Sequence, residues 1–437
     1  MTSAPRIDVS TSLRDSGAEP TSQEPTSQEL AELAASLATD VLFTLPLGSA
    51  GGAEPDATWQ LTGERASGTA AVYYAEGRTH LRKPFLFADG FNYGPSNLPV
   101  LYGHFNTPYE EGRPGFLDQL RARGFDIVLI GFDERHTHIQ HNAEVARQAI
   151  LRTVAERLGG EPLVVGGVSM GGIITRYALA KMENDGYDHQ TATYLSYDSP
   201  HNGAWIPLVL QQMAYFFEKL APAEPSQAAL IRSPAAQQLL WAWVPDSTYT
   251  GEVATASELR REFVRELADL GNFPRRPRLL GVTNGRGDGV GRPLPAGEIA
   301  FDWQAIVASA TARFQPDKGT EQPIGGMHAG LQVRRSTTSE VPALDGAPGG
   351  TLDSFGKVAD AISAKISEEY RSGAFVPTVS AAALDHDPVT WDVDPNLDLR
   401  DQAPDRFHLD DVGFDTDNTT HGQVTAPLAE WILDRLT

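Results

Sequence analysis

The sequence predicts an α/β protein with a mostly parallel central sheet and helices on both of its faces. Three observations lead there. From about residue 69, strand-like and helix-like segments alternate along the chain, as they must when each parallel strand needs a crossover. Two of the strand-like runs, FDIVLIGF (125–132) and PLVVGGV (162–168), are apolar throughout rather than at every second position, the pattern of a strand covered on both faces. The second of these runs straight into Gly167-Val168-Ser169-Met170-Gly171, a G-x-S-x-G sequence at a strand-to-helix junction.

The elements follow in order. TAAVYY (69–74) is a candidate edge strand, and PFLFADGF (84–91) is an apolar run ending in Asp-Gly. RPGFLDQLRARG (113–124) has helical spacing and a Gly stop. After the strand at 125–132, AEVARQAILRTVAERLG (143–159) sets Val145, Ile150, Val154 and Leu158 on one helical stripe. MGGIITRYALAKME (170–183) is a helix and TATYLSYDS (191–199) the next strand. The pattern then changes. Residues 203–270 are mostly helical, aromatic-rich and broken by prolines at 222–225, which reads as a cap inserted over the sheet. PRLLGVTNG (277–285) returns to a core strand. Period-2 alternation from 298 to 335 predicts antiparallel strands, within a small insertion at about 298–355 whose last part, 340–355, is a Gly/Pro loop. VADAISAKISEEY (358–370) is helical, FVPTVSA (375–381) follows, and AEWILDRL (429–436) closes the chain as a helix.

Residues 1–29, with a tandem TSQE-P-TSQE at 21–29, read as a disordered tail before a single domain over 30–437 that opens with a short helix at 30–47. The net charge of −22 argues against nucleic acid and anionic membrane surfaces as partners. With no cysteine, there is no disulfide framework, thiolate zinc site or Cys nucleophile. The N-terminus lacks a basic segment followed by an apolar one, and no apolar run approaches the ~18–20 residues of a membrane span. The expectation is a cytoplasmic protein.

Ser169 is the candidate nucleophile. It sits between a buried strand and a long helix, on a turn so tight that small residues are needed two positions to either side, where Gly167 and Gly171 stand. A serine hydroxyl needs a base. The C-terminal His421, in Asn-Thr-Thr-His-Gly just before the last helix, is the candidate, with His408 and His386 further from that helix. The backbone N–H groups of Met170 and of Phe91, on the loop Ala88–Gly94 after the strand at 84–88, are the expected oxyanion donors. The acid that orients the base is either Asp288, in Gly-Asp-Gly after the strand at 277–285, or Asp198, at the carboxyl end of the strand before the cap; Asp385 is a third.

These residues resemble an α/β-hydrolase of the lipase/esterase type, and more closely a bacterial group of largely uncharacterised hydrolases. The likeness rests on Ile139-Gln140-His141-Asn142-Ala143, on Ser169-Met170-Gly171-Gly172 leading to Arg176-Tyr177-Ala178-Leu179, on Asp198-Ser199-Pro200-His201-Asn202-Gly203-Ala204, on Val376-Pro377-Thr378-Val379-Ser380-Ala381, and on the terminal His421. It covers roughly 84–437. It implies an α/β-hydrolase fold and carboxylic-ester chemistry, but gives no substrate. The expected partner of the acyl-enzyme is a small-molecule or lipid-like ester, and no cofactor or metal is expected. There are departures. Many lipases have His where this chain has Asp89, and lipases with a Val-Pro-x-x-Ser segment often carry their acid just upstream, where Ser372-Gly373-Ala374 stands. Acyl transfer by the same acyl-enzyme, and a binding module without activity, are the rival readings.

Three other features stand out. His136-Thr137-His138-Ile139-Gln140-His141 is similar to the ligand run of metallo-hydrolases, with Gln140 in place of an Asp, and its plainer reading is a loop and helix start. The segment 385–417 holds 11 Asp and no Glu. It lacks the Gly and closing Glu of a Ca²⁺ loop, so a solvated acidic loop is expected. Trp205, Ile206, Leu208, Met213, Phe216, Phe217, Leu220, Trp241 and Trp243 supply the cap with a core, or with the wall of an acyl pocket.

Overall fold

The computed structural model describes residues 44, 46–48, 52–218, 226–251, 253–305 and 308–436. The tail expected at 1–29, most of the helix expected at 30–47, and Leu220 lie outside the described residues. Fourteen strands are described: β1 (Ala57–Thr62), β2 (Ser67–Tyr73), β3 (Pro84–Ala88), β4 (Asp126–Phe132), β5 (Leu163–Val168), β6 (Thr191–Tyr197), β7 (Arg278–Arg286), β8 (Ile299–Gln304), β9 (Ala308–Arg313), β10 (Gln322–Ala329), β11 (Gln332–Thr338), β12 (Gly349–Leu352), β13 (Gly373–Pro377) and β14 (Asp411–Asp415).

Eight of them form one sheet in the order β1-β2-β4-β3-β5-β6-β7-β14. β2 runs antiparallel to both neighbours. The strands from β4 to β14 are parallel. Side-chain alternation divides the inner strands between two cores. In β3, Leu86 and Ala88 face the helices Ile139–Glu156 and Met170–Asn184. Phe85 and Phe87 face the helices Leu98–Phe105, Phe116–Ala122 and Ala426–Leu436. Both faces are therefore apolar, which is why these strands read as unbroken apolar runs. An eight-stranded, mostly parallel sheet in this order, with an antiparallel second strand and a tight strand-to-helix turn after β5, is the α/β-hydrolase fold.

The strand at 67–73 is an inner strand, not the edge. β1, ATWQLT, covers it, with only Trp59 and Leu61 facing inward. β14 was hidden inside the Asp-rich segment. DVGFD pairs only with β7 and needs few apolar residues at that edge. The helix expected at 143–159 runs from Ile139 to Glu156, and Arg157 turns extended at ψ 143°. Leu158 thereby leaves the stripe and is 52% exposed.

The segment 203–270 carries four described helices, Leu208–Glu218, Gln227–Arg232, Pro234–Leu239 and Glu258–Asp269. β8 to β11 form a separate antiparallel sheet. Trp205, Met213, Phe216, Phe217 and Trp241 share one core with Phe301, Phe314, Ile324 and Met327. The cap aromatics are thus the filling between the cap helices and this sheet. Each contributes roughly 1.5–3 kcal/mol of burial, and Trp243 is the partly buried one. The Gly/Pro stretch 340–355 is more ordered than its composition suggests. It contains β12, paired with β13, and the start of the helix Ser354–Ala361.

Candidate active site

Ser169 follows β5 directly and adopts φ 55°, ψ −128°. That conformation costs a non-glycine residue on the order of 1–3 kcal/mol. It is held by the Ser169 N–H bond to the Tyr197 carbonyl (2.9 Å) and by the helix Met170–Asn184 behind it. A Cβ on Gly171 would sit 2.6 Å from the Asp89 carbonyl oxygen, and one on Gly167 would sit 2.7 Å from the Gly171 carbonyl oxygen. The G-x-S-x-G glycines are therefore a packing requirement. Ser169 itself is 4% exposed.

Val168 and Tyr197 are in register on adjacent parallel strands. Ser169 and Asp198 consequently leave neighbouring strand ends. Asp198 has φ 46° and no exposure to solvent. Its Oδ1 accepts the Asn284 N–H at 3.1 Å, and its Oδ2 lies 2.7 Å from His421 Nδ1. A carboxylate only accepts, so Nδ1 carries the proton and Nε2 is left as the basic lone pair. Nε2 is buried and has no hydrogen-bond partner among the described residues. The Phe375 ring stands across the imidazole at 5.0 Å and 65°.

The His421 loop is fixed at several points. The His421 N–H bonds to the Thr351 carbonyl at 2.9 Å, and the Thr351 N–H bonds to the Thr419 carbonyl at 2.9 Å. Asn284 accepts the Gly422 N–H (2.8 Å) and donates to the Gln423 carbonyl (2.8 Å) and Thr419 Oγ1 (3.0 Å). His104 Nε2 lies 2.8 Å from the Gly422 carbonyl, so that nitrogen carries the proton. Burial holds the His104 pKa below its ordinary value, which keeps the ring neutral at pH 7.

The carboxylate that meets His421 is Asp198. Asp288 is taken up elsewhere. Its two oxygens fork onto Arg286 Nε and Nη2, and Oδ1 accepts the Val290 N–H at 3.1 Å. Arg286 holds its pKa down to about 2. The Gly-Asp-Gly triplet is a turn braced by a surface ion pair. Asp385 pairs with His408 (3.5 Å). His386 Nδ1 faces the Leu384 carbonyl and Asn202.

Gly90 lies over Ser169. A Cβ there would sit 3.2 Å from Ser169 Cβ and 3.7 Å from Oγ. Phe91 comes next in the same loop, and Met170 is the first residue of its helix, where an N–H has no intrahelical acceptor. The loop is tied down by Arg135. Nη1 contacts Asp89 Oδ2 at 3.3 Å, Nη2 donates to the Tyr93 carbonyl at 3.0 Å, and Nε donates to the Gly94 carbonyl at 3.1 Å.

The Arg-Tyr-Ala-Leu and Asp-Ser-Pro-His motifs meet in one buried cluster. Arg176 Nη1 lies 3.3 Å from His201 Nδ1, and Ser196 Oγ lies 2.9 Å from His201 Nε2. Burial and the Arg176 charge keep His201 neutral. The Arg176 guanidinium stacks on Phe273 at 3.6 Å. The cluster ties the helix behind Ser169 to the loop after Asp198. Of the other histidines, His136 stacks on Tyr93 (4.7 Å), and His138 and His141 lie side by side (4.7 Å). No group of three His, Asp or Glu side chains that could hold a metal occurs among the described residues. In the Asp-rich loop Asp387, Asp394 and Asp398 cap their own turns. No helix among the described residues is long and apolar enough to cross a membrane.

Sequence reasoning missed Asn284, His104, Arg135 and the backbone of Gly350–Thr351. None carries a local signal. Asn284 reads as one polar residue in a core strand, and Arg135 lies 46 positions from Asp89.

No protein-family model and no curated protein matches the chain. Among solved structures, it is similar to Est1E from Butyrivibrio proteoclasticus, at 11% identity over 32% of this chain and 51% of that one, with a TM-score of 0.24. That match spans about half of Est1E. The mature lipase BlEst2 of Bacillus licheniformis is 13% identical over 54% of this chain and 74% of that one, with a TM-score of 0.29. An esterase of Pyrobaculum calidifontis is 14% identical over 58% and 78%, with a TM-score of 0.28.

Proposed function

We propose that the chain is a serine hydrolase of carboxylic esters, with Ser169 as nucleophile, His421 as base, Asp198 as acid and the Phe91 and Met170 N–H groups as oxyanion donors. The observation that carries this is the buried 2.7 Å bond from His421 Nδ1 to Asp198, with Nε2 left unpartnered, one strand from a serine on a strained turn. His421 takes the Ser169 proton as Oγ bonds to the ester carbonyl carbon. The tetrahedral oxyanion then collapses, and the alcohol leaves with that proton. Water, deprotonated by the same ring, then bonds to the acyl carbon, and Oγ leaves with that proton to free the carboxylic acid and restore Ser169. Ser169 Oγ and His421 Nε2 share no hydrogen bond in the unliganded protein; catalytic hydrogen bonds of this kind are often loose without substrate and tighten when it binds. Asp198 keeps the imidazole in the productive tautomer and stabilises the imidazolium.

The test is a p-nitrophenyl ester series with fluorophosphonate labelling. Ser169→Ala is expected to abolish labelling and turnover. Asp198→Asn is expected to lower kcat by roughly 10⁴, the loss typical of a wrong tautomer. Asp288→Asn is expected to stay within threefold. Full activity in Asp198→Asn, or label on a residue other than Ser169, would overturn the assignment.

A further inference from the structure

We propose that Arg135 is a positioning residue for the oxyanion hole, and that it also neutralises a carboxylate buried beside that hole. The inference rests on the reading of Ser169 as nucleophile. One guanidinium holds both ends of a six-residue loop, the Asp89 side chain at its start and the Tyr93 and Gly94 carbonyls at its end. The Arg135 N–H adds a fourth tie, to Gly94 (3.3 Å). Between these anchors lie Gly90, over Ser169, and Phe91.

Asp89 has a second effect on the loop. Its Oδ1 accepts the Gly90 N–H at 2.8 Å. That donor is thereby spent, and the Phe91 N–H is the one left for an oxyanion. Asp89 is 1% exposed, and its backbone carbonyl packs on Gly171 at the start of the nucleophile helix. An unpaired carboxylate there would repel the negative charge that develops on the substrate oxygen, in surroundings too dry to screen it. The Arg135 side chain, 9% exposed, supplies the opposite charge. The planar fork suits the task, because one group has to reach a carboxylate and two carbonyls at once. This also accounts for an acid at Asp89: it is acceptable beside an oxyanion only with its cation.

The experiment compares wild type, Arg135→Gln, Arg135→Lys and the neutral pair Asp89→Asn/Arg135→Gln. It measures kcat and KM on a p-nitrophenyl ester, Tm, and inhibition by an alkyl trifluoromethyl ketone, which forms an oxyanion adduct with the serine. Arg135→Gln is expected to lose about 10²-fold in kcat, the scale of one misplaced oxyanion donor. KM should stay within threefold, and the ketone should weaken by the same factor as kcat/KM. The neutral pair should regain about tenfold in kcat over Arg135→Gln, because no uncompensated charge remains. Arg135→Lys, which keeps the charge without the fork, should fall between. A folded Arg135→Gln with kcat within threefold of wild type overturns the inference. So does a neutral pair no faster than the single variant, or ketone affinity that holds while kcat falls. Should Arg135→Gln fail to fold, the neutral pair decides: it must lose about tenfold in kcat at unchanged KM, and wild-type kcat refutes. Wild type that neither labels with fluorophosphonate nor cleaves esters sinks the Ser169 reading and this inference together. Labelled wild type with an indifferent Arg135 sinks only the latter.

Discussion

Replacing Gly350 by Ala tests whether close backbone approach to Asp198 sets the geometry of the proposed base, His421. A Cβ on Gly350 would lie 2.9 Å from Asp198 Cγ and nearer still to Oδ2. Carbon atoms settle at about 3.5–4.0 Å, so strand β12 or the carboxylate must retreat by roughly 1 Å. The Asp198 carboxylate is fixed on its other side by the Asn284 N–H. β12 also carries the Thr351 carbonyl that accepts the His421 N–H. Either movement stretches the His421–Asp198 bond, now 2.7 Å. A 1 Å misplacement of catalytic groups costs about 10²-fold in rate, and the overpacking costs about 1–3 kcal/mol of stability. Steady-state kinetics on a p-nitrophenyl ester and a thermal melt read both. The same substitution in an Asp198→Asn background should lower the rate far less, because the interaction it disturbs is already gone. A Gly350→Ala protein with kcat/KM within threefold of wild type, or an equal loss in both backgrounds, would refute the reasoning.

Two further outcomes follow from buried polar groups. Asn284→Asp deletes both donors to the His421 loop and buries a second carboxylate against Asp198. It should cost about 3 kcal/mol of stability and lower kcat/KM more than tenfold, and denaturant melts with kinetics that show neither would contradict the role given to Asn284. Asp345 accepts from Trp205 Nε1 and the Gln315 N–H, both at 2.6 Å, yet burial pushes its pKa up to about 6. The folded state therefore binds more protons than the unfolded between about pH 4 and 6, and the stability from this group falls as pH rises through that window. In calorimetry, the Tm of Asp345→Asn relative to wild type should climb from pH 4 to 6; a flat difference would count against it.

What could be read from the sequence was whatever a short stretch of chain dictates. The apolar runs of β3, β4 and β5 are covered on both sides, so burial is written into every residue. The Ser169 turn must be flanked by small residues, so its geometry is written within five. β1 and β14 lie at sheet edges and carry few apolar residues, so nothing local marks DVGFD as a strand. The choice between Asp198 and Asp288 was also beyond local pattern. Both follow core strands, and what separates them is a contact across 223 positions for one and a neighbouring Arg286 for the other.

The strand order explains why the proposed acid, Asp198, follows β6. The His421 loop starts at the sheet edge after β14 and runs inward across successive strand ends, and each end supplies a hold. Asp415 at the end of β14 accepts from Thr419 Oγ1 (2.8 Å) and Thr425 Oγ1 (2.9 Å). Asn284 in β7 grips Thr419, Gly422 and Gln423, which requires both a donor and an acceptor. A carboxylate there could accept but not donate, so the site in β7 belongs to an amide. The carboxylate falls one strand further in, at Asp198, where only the Nδ1–H of His421 and a backbone N–H are presented. The next strand end is that of β5, which carries Ser169. On the proposed assignment, the base His421, anchored at β6, is thus within one strand of the nucleophile Ser169, and a carboxylate set beyond β7, as Asp288 is, would have to reach over Asn284 to touch it.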